Sequence, residues 1–269
     1  MFDIIRSQFR TMTRKTLVHI LGVLLLAAST IMLFMYNAAS DDTGSVPTAT
    51  EIIPETATLI MSLAMFGTTF VASIVAGDDF LDKTINNELI AGRRRYSSYF
   101  GRAVPVMIAG PLISIALCTL PYVIYGAVNG FGDTLPVGNL ILRAAVGIFP
   151  LIRLSAFCVM VLFLFRNPIG AVMTNMALPM MGIASMIGES SFPFLKVAGE
   201  KLWLVSPINF VSLGKIESWY TYNLELETYY SYSTAIPASD IVLTIISSVV
   251  MTAVYLIIGY HYFHVDDLE

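Results

Sequence analysis

Charge is what this chain has least of. Only 13% of its 269 residues are Asp, Glu, Lys or Arg, against 56% hydrophobic, and the mean hydropathy is +0.75. Soluble domains carry about a quarter of charged residues, so this composition excludes an ordinary water-soluble domain and belongs to a polytopic membrane protein. Cysteine is scarce as well. Cys118 and Cys158 both fall within apolar runs, without metal-type spacing or a disulfide framework, and read as small buried hydrophobes. Catalytic signatures are missing too: the sequence holds no G-x-x-x-x-G-K-[ST], no H-E-x-x-H and no G-x-S-x-G, so no phosphate loop, zinc-protease helix or nucleophile elbow is expected. His19, His261 and His264 are too dispersed to suggest a metal site. No nucleic-acid partner, no catalytic residue and no cofactor held by this chain are expected. Nor is a cleavable signal peptide, because the first apolar run of about 20 residues exceeds a signal-peptide core.

One absence bears on mechanism. The interiors of the apolar runs contain neither Asp nor Glu, while Glu55 and Asp240 stand at their edges. Carriers coupled to protons or sodium usually place a carboxylate inside the membrane, so its lack weighs against an autonomous secondary carrier.

What is present is an all-α pattern. Six runs are long enough to cross a hydrocarbon core of about 30 Å: Thr16–Tyr36, Thr56–Ala76, Ala103–Ala127, Leu140–Phe165, Pro168–Gly188 and Ser239–Phe263. The fourth and fifth are separated only by Arg166-Asn167, a tight hairpin with Pro168 at the first helical position. Before them, residues 1–15 set Phe2, Ile5, Phe9 and Met12 against Arg6, Arg10, Arg14 and Lys15. That is the pattern of an amphipathic helix lying in the interface, apolar side in the headgroup boundary and cations toward anionic lipid; the alternative is a plain basic leader that serves topology. Residues 16–269 then form one transmembrane domain.

The cations also fix orientation. Those of 1–15, together with Lys83, Arg93, Arg94, Arg95, Arg102 and Arg166, lie in segments that alternate with 37–55 and 128–139, which carry no Lys or Arg. Both termini are therefore expected in the cytoplasm. The excursion 189–238 breaks its short apolar runs with Pro193, Gly199 and Pro207, as re-entrant helices do, and ends in the Tyr-rich segment 219–232. That segment reads as an aromatic belt at the outer surface or a sugar- or peptide-contacting face. Arg153 is a mid-span cation, three residues after Pro150. Two readings stand: a structural arginine on carbonyls freed near the proline, and a residue of a translocation pathway. Arg143 is near enough to the outer interface to snorkel.

The segment Gly77–Arg102, GDDFLDKTINNELIAGRRRYSSYFGR, organises the rest. Asp78 or Asp79 suits a helix N-cap and Gly92 the position after its end, and Leu81, Ile85 and Leu89 recur four residues apart. Two readings stand: a short amphipathic helix over 80–91, and a solvated inter-span loop whose arginines only fix topology.

This segment resembles the intracellular loop of the membrane subunit of a type-2 ABC exporter, a superfamily also called type V. The resemblance lies in Asp79-Phe80, Thr84-Ile85-Asn87-Glu88-Leu89, Gly92-Arg93-Arg95 and Tyr99-Phe100, supported by the basic leader, the six spans and the run Trp203–Phe210 before the last span. In layout it covers the whole chain, and in motif about 25 residues. It implies a permease of a bacterial plasma membrane, most similar to antimicrobial-peptide immunity and peptide-export permeases of Gram-positive bacteria. Such a subunit exports or extracts an amphipathic peptide or lipid-like compound. It also implies a coupling helix at 80–91, with Phe80, Leu81, Ile85, Glu88, Leu89 and Arg93 contacting a separate ATPase that binds ATP and Mg, and a second copy or sibling permease completing the pathway. Residues 1–15 would be the connecting helix. An autonomous carrier and a membrane sensor or assembly factor are the competing readings.

Overall fold

The computed structural model describes residues 1–39, 46–133, 135–167 and 238–265, and little of the remainder besides a two-residue antiparallel pair, Tyr220–Thr221 with Ser231–Tyr232. The described helices are α1 (Phe2–Arg14), α2 (Thr16–Ala39), α3 (Ala49–Leu81), α4 (Thr84–Ile90), α5 (Arg95–Asn129), α6 (Val137–Phe165) and α7 (Ala238–Val265). Four are long and apolar enough to cross a membrane: α2 over Thr16–Tyr36, α5, α6, and α7 over Ile241–Val265. The chain is accordingly all-helical in architecture and a membrane protein in composition. The run Pro168–Gly188 and the excursion 189–238, expected as a fifth span and re-entrant helices, lie outside the described residues.

Helix α3 packs along α5, α6 along α7, and α2 against both α3 and α5. Small side chains make this possible. Ala72 and Ala76 of α3, Ala103 and Ala109 of α5, and Ala156 of α6 are all buried in one cluster with Val106 and Val159. Between apolar helices in lipid, close backbone approach replaces the hydrophobic drive available in water. Polar side chains reinforce the seam: Thr68 of α3 meets Ser114 of α5, and Thr56 Oγ1 lies 2.9 Å from Tyr122 Oη. The long helices tolerate Pro54, Pro105, Pro111, Pro121 and Pro150 without ending, because neighbouring helices stabilise the freed backbone.

The bundle has two distinct ends. At one, Phe80 of α3, Tyr99 of α5, Phe163 of α6 and Phe263 of α7 stack as rings, with Phe80–Phe163 at 5.1 Å and Tyr99–Phe163 at 4.6 Å. At the other, the start of α3 is tied to the end of α5: Ala49 N–H donates to Gly130 O, Thr50 N–H to Phe131 O, and Tyr125 Oη to Pro47 O at 3.0 Å. Glu51 Oε2 accepts the Thr48 N–H at 2.7 Å and closes the first turn of α3. Leu33, Ile52, Ile60 and Tyr125 form a second buried cluster there. Both α1 and the C-terminal end of α7 lie at the first end.

Two local expectations change. The expected N-cap at Asp78 or Asp79 does not form, because α3 runs through both to Leu81. The ring contact of Phe80 with Phe163 and the Asp82 N–H bond to Asp78 O hold that last turn helical. The apolar stripe expected on α1 also divides: Phe9 and Met12 pack on the main cluster, while Phe2 is exposed. Ile4 is buried against α5 at Gly101, where an added Cβ would stand 2.9 Å from Ile4 Cβ. Glycine is what lets the two helices touch.

Candidate functional site

The segment between α3 and α5 is built as a turn, a two-turn helix and a cap. Lys83 takes a left-handed conformation (φ 52°) and redirects the chain between α3 and α4. At the far end Gly92 adopts φ 84°; its N–H reaches Leu89 O while Arg93 N–H reaches Glu88 O. This pair of bonds is the Schellman arrangement, and it confirms Gly92 as the residue after the helix end. Helix α5 begins at once with Arg95, so Tyr96–Arg102 is helical rather than loop.

Under α4 lies a buried ion network centred on Arg102, which is 1% exposed. Its Nε donates to Asp79 Oδ2 at 2.6 Å. Its Nη1 donates to Glu88 Oε2 at 3.1 Å and to Ser98 Oγ at 2.7 Å. Ser98 Oγ in turn donates to Glu88 Oε2 at 3.1 Å, and Gln8 Nε2 of α1 donates to Asp79 Oδ2 at 2.5 Å. One guanidinium thus joins α3, α4 and α5, and Gln8 adds α1. The planar fork of arginine suits this division between two carboxylates, which a lysine could not reproduce. A second ion pair, Lys15 with Asp78, fastens the α1–α2 junction to α3, with Lys15 Nζ also 3.0 Å from Ile74 O. Arg95 Nη1 donates to Phe263 O at 3.2 Å and His264 O at 2.6 Å, capping α7 with a cation at its negative end.

The residues singled out from sequence therefore divide. Ile85 is fully buried and Leu89 half-buried against the main cluster. Phe80 stacks on Phe163, and Glu88 is committed to Arg102 and Ser98. Leu81 is 62% exposed and Arg93 is exposed. Ile90, not singled out, is 84% exposed. The turn at Lys83 separates Leu81 from Ile85, so the three-leucine-type stripe is not one face. What this segment offers to its surroundings is Leu81 at the end of α3 and Ile90 at the end of α4, with Asp82, Lys83, Arg93 and Arg94 exposed beside them.

Arg102 is the residue that sequence reasoning missed. Its signal was faint: Ser98 and Arg102 stand four apart, a helical spacing that places both on one side only once α5 is known to start at Arg95. Arg153 is 3% exposed, and Tyr255 of α7, which packs 5.3 Å from Phe157, lies within its electrostatic reach. Arg143 is buried, its Nε donating to Asn139 Oδ1 at 2.7 Å, one turn nearer the start of α6. Among the described residues no three His, Cys, Asp or Glu side chains converge as metal ligands. No model of a known protein family matches this chain, and no curated protein matches it either.

Proposed function

We propose that this chain is the permease subunit of an ATP-binding cassette exporter, forming with a second copy or a sibling permease a pathway for an amphipathic peptide or lipid-like compound. The observation that carries the reading is the construction of α4. It is a short capped helix, tied from inside through Ile85, Glu88 and Arg102 to α3 and α5, with its own Ile90 and the neighbouring Leu81 of α3 left outward among exposed charges. An element built so transmits a push from a docked protein directly to α3 and α5, and its apolar pair and flanking charges suit a helix-in-groove contact. In this reading α4 is the coupling helix and α1 the connecting helix. ATP and Mg belong to the partner, and the end of the bundle bearing α1, α4 and the end of α7 faces the cytoplasm of a bacterial cell.

The span count of six belongs to the same proposal. Helix α6 ends beside Phe80, and α7 ends beside Tyr99, at the same end of the bundle. In this reading Pro168–Gly188, an apolar run outside the described residues, is the fifth crossing. Helix α3 supplies the second crossing. Arg153 enters as a pathway residue only if the α6–α7 seam opens, because it is buried in the present conformation.

The test is co-purification from the native host in gentle detergent, with an ATPase assay. Ile90→Asp should abolish recovery of a nucleotide-binding subunit while leaving membrane insertion and thermal stability unchanged. Recovery of that subunit with Ile90→Asp as with the unaltered chain would sink the docking assignment. An unaltered chain that comes down alone would sink the transporter reading.

A further inference from the structure

An apolar groove of about 490 Å³ opens between α2, α3 and α5. Its walls include Val18, Gly22, Leu25, Phe70, Ile113 and Leu117, and among the described residues His19 is the one polar side chain that lines it. Along α2 it runs from Val18 to Leu26, about 12 Å at the helical rise. A groove this apolar, on a helix long and apolar enough to cross a membrane, matches an acyl chain rather than water.

The mouth of the groove carries charge. His19 turns back toward α1, its Nε2 donating to Thr13 O at 3.0 Å. Arg14, the residue after Thr13, and Arg10 one turn before it are exposed, on the side of α1 away from the buried Ile4 and Gln8. Lys15 adds nothing free, because it is ion-paired to Asp78. Arg14 stands two residues before the first residue of the span, at the level where phosphate headgroups lie, and cations there attract anionic lipid.

From this we infer a specific site for one anionic phospholipid of the surrounding bilayer, with its phosphate beside Arg10, Arg14 and His19 and an acyl chain in the groove between α2, α3 and α5. The site rests on the membrane-spanning helices and not on the transport reading. It would bind phosphatidylglycerol-type lipid in preference to a zwitterionic one, and would couple the bilayer to α1 and through Gln8 to the Arg102 network.

The test uses the purified full chain in detergent, labelled with phosphatidylglycerol or phosphatidylcholine bearing a photoactivatable group in the acyl chain. Labelling of the α2 peptide around Gly22 should favour phosphatidylglycerol. Arg10→Gln with Arg14→Gln should remove that preference, lowering apparent affinity for phosphatidylglycerol roughly 30-fold, since each surface cation contributes about fivefold. A Cβ added at Gly22, which lines the groove, meets nothing within 4 Å, so Gly22→Trp starts from open space and should abolish α2 labelling by both lipids. Gly22→Leu should weaken it. Equal labelling by the two lipids, α2 labelling that survives Gly22→Trp, or chain-to-chain crosslinks showing a second copy seated in the groove would each overturn the site.

Discussion

Replacing Arg102 by methionine keeps most of the side-chain volume and removes the charge that joins four helices. Breaking a buried ion pair from one side costs about 3–5 kcal/mol when the remaining charge is stranded. Here the loss is softened. Asp79 and Glu88 are each 19% exposed, Asp79 keeps the Gln8 amide, and Glu88 keeps the Ser98 hydroxyl. A cost of roughly 2–3 kcal/mol is the reasonable figure after that discount. It falls on the α4 segment, since α3 and α5 remain packed through the alanine seam. Local opening of α4 should therefore rise roughly 30- to 150-fold. Lys83, Arg93 and Arg94 bracket α4 and are exposed, so trypsin reads the opening directly when reclosing is faster than cleavage. Arg102→Met should accelerate cleavage at these positions by that factor, with little change elsewhere. The triple variant Asp79→Asn, Glu88→Gln, Arg102→Met should be cleaved more slowly than Arg102→Met alone, because no carboxylate is left without its cation. Cleavage of Arg102→Met at the rate of the unaltered chain would refute the reasoning, and so would a triple variant cleaved faster than the single one.

Two further outcomes follow from glycines. Gly92→Ala must hold φ 84° with a Cβ, at a cost of about 1–2 kcal/mol, and should lower the midpoint of thermal unfolding; Gly92→Asn should lose less, because asparagine tolerates that region. An unchanged midpoint for Gly92→Ala would refute the capping role. Gly101→Leu places a side chain where Ile4 already sits, so α1 should detach and tryptic cleavage after Arg6 and Arg10 should rise at least tenfold, with the rest of the bundle intact. Protection of α1 equal to that of the unaltered chain would show that it is not docked through this contact.

The long helices were legible because they depend on one thing the sequence states openly, the length of uncharged apolar runs. Helices α2, α6 and α7 begin and end within a few residues of the runs that forecast them. The ends of α3 and α5 were not legible for a common reason. Polar residues at 78–82 and 95–102 look like loop, yet rings and charges from other helices hold them helical. Propensity and composition yield there to tertiary contact.

The stripe Leu81, Ile85, Leu89 failed for a subtler reason. Its period is correct for a helix, but Lys83 in a left-handed turn breaks the helix between its first and second members. No glycine or asparagine stands at that position to announce the turn, so the break is imposed by the Phe80 contact before it and the Arg102 network after it. A stripe on a membrane protein also has three possible destinations: its own bundle, lipid, or another protein. Periodicity alone does not choose among them. The charges do. Glu88 lies one residue before Leu89 and three after Ile85, and once Glu88 is fixed inward on Arg102, Ile85 and Leu89 must follow it toward the bundle while Ile90 turns away. The buried Arg102 therefore decides which apolar side chains of α4 stay outside the bundle.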